Sequence, residues 1–129
     1  MTNKLLRIIL SGKRKLNQTD KKAYLFMNNA LELFTAVPKQ HNCAQAVVCG
    51  FGHAEFNAAM ASCGGGKAPD GICGALHGAL LLLPPDKHEA AKARFLAAAG
   101  ALKCRELKSA NVNCQSCVAC AAKIVEEYL

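Results

Sequence analysis

The chain reads as an all-α protein: a compact bundle of five to six short helices with a glycine-rich loop. Three observations predict this. Alanine and leucine, both strong helix formers, recur throughout. No alternation of β-branched residues lasts long enough to build a sheet. Proline and glycine interrupt the apolar stretches at the spacing of short helices.

The first helix is expected from about Thr19 to Ala36, capped by Thr19 or Asp20 and striped by Tyr24, Met27, Ala30, Leu31, Leu33 and Phe34. Pro38 ends it. Asn42 is a good N-cap for a second helix through Cys43-Ala44-Gln45-Ala46-Val47-Val48 to Gly50 or Gly52, and a short third covers about Ala54 to Ser62. Cys63 to Gly71, with four glycines and a proline, is a loop. A fourth helix runs from about Ile72 to Leu83. Its small residues Gly74, Ala75, Gly78 and Ala79 let another backbone or a bulky inorganic group approach closely. Pro84 stops it, and Pro85 starts a fifth helix over roughly Asp86 to Lys103. After a loop from Ser109, Asn113 caps a last helix from about Cys114 to Tyr128.

A chain of 129 residues supports one domain, expected over 18–129 behind a basic N-terminal appendage at 1–17. Five of its sixteen basic residues (Lys4, Arg7, Lys13, Arg14 and Lys15) precede residue 18, so eleven remain against nine acids and the body is near neutral. Without tryptophan and with 5% aromatics there is no stacking platform, and nucleic acid is not an expected partner. No apolar run approaches the roughly 20 residues of a membrane helix, and Arg7 breaks the only leader-like stretch. Membrane insertion is not expected, and a cytoplasmic, reducing location is.

Eight cysteines fall below the roughly 8–10% that marks a disulfide scaffold. In a reducing compartment they point to metal binding or redox chemistry. Cys43, Cys73 and Cys114 are expected in first turns of helices, where free N–H groups and the dipole favour a thiolate, and Cys104 at the end of the fifth helix. The alternative use of each is as a small buried hydrophobe. Gly64, Gly65 and Gly66 can form either a concave nest of N–H donors facing an anion or a plain tight turn. A nucleotide P-loop is excluded by Ala61 and Ala68 at positions that need Gly and Ser/Thr. Cys114-x-x-Cys117-x-x-Cys120 partly matches a ferredoxin run but has Ile124 at the fourth position, and three-residue steps drift around a helix. Cys114, on a stripe with Val118, Ala121, Val125 and Leu129, is expected to point inward, with Cys117 and Cys120 turning to the edge. Val118 and Ala121 follow those two cysteines, which excludes c-type haem attachment. Cys73 and His77, four apart, are spaced to share a zinc ion.

The segments Asn42-Cys43-Ala44-Gln45-Ala46-Val47, Gly64-Gly65-Gly66, Cys73-Gly74-Ala75-Leu76-His77-Gly78-Ala79, Cys104-Arg105-Glu106-Leu107 and Cys114-x-x-x-Val118 stand in this order. In these the chain resembles the small bacterial and archaeal redox-active proteins defined by a Cys…CGAxxG…Cys…Cys pattern, a family related to the non-haem part of split-Soret cytochromes. The resemblance spans roughly residues 20 to 129. It implies that Cys43, Cys73, Cys104 and Cys114 are the ligand set for an iron–sulfur cluster, with Gly64, Gly65, Gly66 and Gly74 beside it. It further implies electron transfer or redox sensing with a redox partner protein, rather than turnover of a substrate, and it allows a homodimer. Cys63 stands where the family has an aromatic residue, and Cys49, Cys117 and Cys120 are additional. Two other readings stay open: a metal-free thiol–disulfide protein using Cys73 with Cys43 or Cys114, and a structural zinc or interaction protein.

Overall fold

A computed structural model describes residues 28–64 and 66–128. The basic appendage, most of the first expected helix, Gly65 and Leu129 lie outside the described residues. Residues 28–35 are helical (α1). There follow α2 (Cys43–Gly50), a 3₁₀ turn (Ala54–Phe56) running into α3 (Asn57–Met60), a second 3₁₀ turn (Pro69–Gly71), and α4 (Gly74–Leu82). A third such turn (Pro85–Lys87) leads into α5 (His88–Ala99), then α6 (Cys104–Ser109) and α7 (Cys114–Tyr128). The all-α architecture is therefore observed. Among the described residues no strand forms; there is one isolated antiparallel bridge, Ile72 to Lys103. No described helix is long and apolar enough to cross a membrane.

The helix boundaries follow local chemistry. Asn42 caps α2 with a complete capping box: its side-chain oxygen accepts from Gln45 N at 2.8 Å, and its own N–H donates to Gln45 Oε1 at 2.8 Å. Asn113 caps α7, accepting from Ser116 N at 2.7 Å. The fifth helix stops earlier than expected. Gly100 takes the left-handed conformation (φ 95°) and its N–H closes on Leu96 O at 2.9 Å, the helix-ending arrangement that glycine adopts without strain. Residues 101–103 are thus non-helical, Lys103 is extended (φ −88°, ψ 137°), and the chain re-enters a helix at Cys104.

The core lies where α4 packs on both α2 and α7, with α5 covering α7. Val47, Leu76, Phe95, Val118, Ile124 and Val125 are fully buried there. Small residues bring the helices close. A Cβ on Gly78 would lie 2.9 Å from Ala44 O, and one on Gly50 would lie 2.7 Å from Ala30 Cα. Ala44, Val48, Met60, Cys63 and Ala68 form a smaller cluster beneath the glycine loop.

Candidate functional site

Four cysteines stand at helix starts. Cys43 and Cys114 are the first residues of α2 and α7, and Cys73 immediately precedes α4. Cys104, expected at the end of a helix, instead opens α6, because Gly100 terminates α5. The starts of α2, α4 and α6 are tied to one another and to the glycine turn. Asn42 Nδ2 donates to Met60 O at 2.9 Å and to Ala61 O at 3.1 Å, fixing the start of α2 to the end of α3. A Cβ on Gly64 would lie 3.0 Å from Asn42 Cβ, and one on Gly66 (φ 85°) would lie 3.7 Å from Cys104 Cβ. Cys73 N donates to Leu102 O at 2.7 Å, which holds the start of α4 against the strand-like approach to α6.

The thiols of Cys43, Cys73 and Cys117 meet at the centre. Cys43 is close enough to share its proton with Cys73, and Cys73 with Cys117, so that each thiol acts on the ionisation of the next. The bond to Cys73, then burial, push the Cys43 thiol far above its ordinary range. Cys73 is pushed up to about 12, first by its bond to Cys117 and then by burial, against the opposing bond from Cys43. Backbone N–H groups of Ala44 and Ala75 near Cys43, and of Leu76 near Cys73, favour the thiolates but do not prevail. Cys117, at the accepting end, is lowered by the bond from Cys73 in spite of burial and the neighbouring Cys114, Cys120 and Cys43. The three sulfurs form a relay whose first proton leaves Cys117.

Gly74 makes this arrangement possible. A Cβ there would stand 2.6 Å from Cys63 O and 2.7 Å from Cys43 Sγ, so the room beside this glycine is taken by the cysteine sulfur and a carbonyl.

Cys117 is the residue that sequence reasoning set aside. It is 3% exposed, while Cys114 is only half-buried. Cys114 sits at the very start of α7, whereas Cys117 lies one turn in, on the stripe of Ala121, Ile124 and Tyr128 that faces the core. That stripe, spaced i, i+4, i+7, i+11, was the signal that could have identified it. Cys114 remains close enough for its charge to act on Cys117.

The other cysteines divide by environment. Cys104 is half-buried and opens on a hollow shared with Gly66. Cys49 donates to Asn57 Oδ1 at 3.3 Å, and Cys63 packs in the smaller cluster. Burial raises Cys120, against the pull of Lys123 and Arg94. Burial lowers the pKa of His77, which favours its neutral form. Among the described residues no three His, Cys, Asp or Glu side chains are arranged to hold a single metal ion, so the Cys73–His77 spacing gains no further ligand. All eight thiols are free. Comparison of this chain with family models, with curated proteins and with solved structures found no match.

Proposed function

We propose that this chain is a small redox-active protein that holds an iron–sulfur cluster on its buried thiols, for electron transfer or redox sensing. The observation that carries this reading is the mutual contact of Cys43, Cys73 and Cys117 at 8%, 4% and 3% exposure. A thiol that exchanges with an external disulfide needs access and a lowered pKa. Cys43 and Cys73 have neither. Metal ligation is different, because the ion itself displaces the thiol proton. An electron, unlike a bulky disulfide, reaches a buried centre without contact.

The donor set fits such a group in kind: soft sulfur ligands, several at helix starts. A cluster also spreads its thiolates more widely than one ion does, so the lack of a preformed single-ion site bears on zinc rather than on a cluster. Cys43, Cys73 and Cys117 would hold it, with Cys114 or Cys104 completing the set. The bound cluster would supply one-electron redox chemistry. The chain's own part is to keep water from the sulfurs and to hold the starts of α2, α4 and α6 about the glycine turn.

The lowered Cys117 favours a second, metal-free reading. A peroxide would oxidise the Cys117 thiolate to a sulfenic acid, releasing an alkoxide or hydroxide. Cys73 would then condense with it, forming the disulfide and releasing water.

Iron and acid-labile sulfide measured after anaerobic preparation, or after reconstitution, test the first reading. Iron bound by the wild type and by Cys49→Ser, but lost in Cys73→Ser and Cys117→Ser, is expected. A colourless, iron-free protein after reconstitution overturns it. A peroxide-dependent Cys73–Cys117 disulfide, mapped by mass spectrometry in that protein, would establish the second.

A further inference from the structure

Away from the buried sulfurs, the start of α6 and the second 3₁₀ turn enclose an open hollow of about 710 Å³. That volume lies within the roughly 300–1,000 Å³ typical of small-molecule sites. Its walls carry three cations, Lys103, Arg105 and Lys108, against one acid, Asp70. All three cations are exposed, and among the described residues none of them is engaged in an ion pair. Elsewhere the body of the chain is close to charge balance, so this is a local concentration of positive charge.

The opposite wall is backbone that a ligand can approach. Gly71 has φ 71° and nothing within 4 Å of where a Cβ would stand, and Asp70 beside it also takes a left-handed conformation at φ 60°. The two walls are joined by the Ile72–Lys103 bridge and the 2.7 Å bond from Cys73 N to Leu102 O. The backbone that carries the cations is therefore tied to the turn that carries Asp70 and Gly71.

We propose that this hollow is a binding site for a small polyanion bearing phosphate or carboxylate groups. Arg105 presents a planar fork suited to two oxygens of one such group, and Lys103 and Lys108 act as point charges for its neighbours. Asp70 disfavours an anion less than the three bases favour one. The anion contacts do not depend on a cluster, since Lys103, Arg105 and Lys108 are not among its ligands. If Cys104 completes the cluster, its alkylation is read on the cluster-free protein and calorimetry reads binding in both forms.

Cys104, half-buried on the wall, supplies the readout. Its alkylation by iodoacetamide is followed peptide by peptide on the full chain, with pyrophosphate, citrate or chloride added at equal ionic strength. Pyrophosphate or citrate is expected to slow modification of Cys104 while Cys49 is unaffected, and calorimetry should give a matching affinity. Arg105→Gln should weaken that affinity by about tenfold, and Lys108→Gln by a smaller factor. Binding by one anion and not the other identifies the group that is recognised. Equal protection by chloride, no protection by either polyanion, or binding unchanged in both variants overturns the proposal. Circular dichroism of the two variants, whose substituted side chains are exposed, shows that the fold is retained.

Discussion

Gly74 and Cys43 occupy one another's space: a Cβ on the glycine would come to 2.7 Å from the cysteine sulfur. The start of α4 can therefore lie on the start of α2 only because residue 74 has no side chain. The same approach sets the relay, since it brings the Cys43 thiol beside Cys73.

Gly74→Ala must push against Cys63 O at 2.6 Å as well as the sulfur, and a carbonyl in a packed turn cannot swing aside as a side-chain tip can. A loss of about 1–3 kcal/mol is expected from overpacking of this kind. Urea denaturation measures it. Gly78→Ala, facing Ala44 O at 2.9 Å, should cost less, because the overlap is smaller.

Asn42 uses its amide in two directions. Its oxygen caps α2 through Gln45 N, and its Nδ2 group reaches Met60 O and Ala61 O. Asn42→Asp keeps the cap and loses both donors, while setting a carboxylate against two carbonyls; Asn42→Ala loses every side-chain bond and keeps only the backbone N–H to Gln45 Oε1 and the carbonyl bond from Ala46 N. Removing a cap alone costs about 1 kcal/mol, so Asn42→Ala should exceed that by the lost bonds to α3. If Asn42→Asp proves as stable as wild type in denaturant titration, the tie to α3 contributes nothing.

Much of this frame was legible in local chemistry. Asn42 and Asn113 cap as their residue types suggest, and Pro84 and Pro85 mark the break between α4 and α5. The small residues of α4 signalled a close approach, but not that its occupants would be Cys43, Cys63 and Ala44. The stop at Gly100 was obscured because Ala101 and Leu102 continue the apolar character past it. Cys117 was obscured because two stripes of α7 share Ala121, one through Cys114 and Val118, the other through Cys117 and Ile124. Both stripes are buried further along α7, and they differ only at its start, where Cys117 is enclosed and Cys114 is half-exposed, a tertiary fact that periodicity does not contain. The order of acidity among the thiols likewise depends on burial and hydrogen-bond direction.

The relay makes the metal-free protein sensitive to alkali. Cys43 and Cys73 are raised above the ordinary thiol value of 9.0, and Cys73 reaches about 12. Above the unfolded value the unfolded chain releases these protons while the folded chain retains them, so the unfolded state binds fewer protons and stability falls as pH rises. Cys117 runs the other way: its lowered value adds stability as pH climbs to the unfolded value and nothing further beyond it. Two raised thiols against one lowered should leave a net decline between about pH 9 and pH 12. Urea midpoints across that range should fall less steeply in Cys43→Ala/Cys73→Ala than in wild type. Parallel slopes would show that lysine and tyrosine titration accounts for the decline.

Arg94 on α5 donates to Glu127 Oε1 on α7 at 3.0 Å, with the two side chains 30% and 16% exposed. The other carboxylate oxygen, Oε2, is buried with no hydrogen-bond partner among the described residues. The guanidinium therefore carries most of the compensation for placing this carboxylate between helices. Arg94→Ala removes it and leaves the charge half-solvated, a change expected to cost about 1–2 kcal/mol, less than for a fully buried pair because water still reaches both groups. Glu127→Ala also loses the bond, but removes the poorly solvated oxygen with it, and leaves an arginine that can turn to solvent. It should therefore cost less. The double variant should then be no worse than Arg94→Ala alone, giving a coupling energy in the cycle that offsets the sum of the single losses. Thermal or urea unfolding of the four proteins measures this. Strict additivity would mean that the α5–α7 contact is held by Phe95 and the apolar stripe of α7 without help from the ion pair.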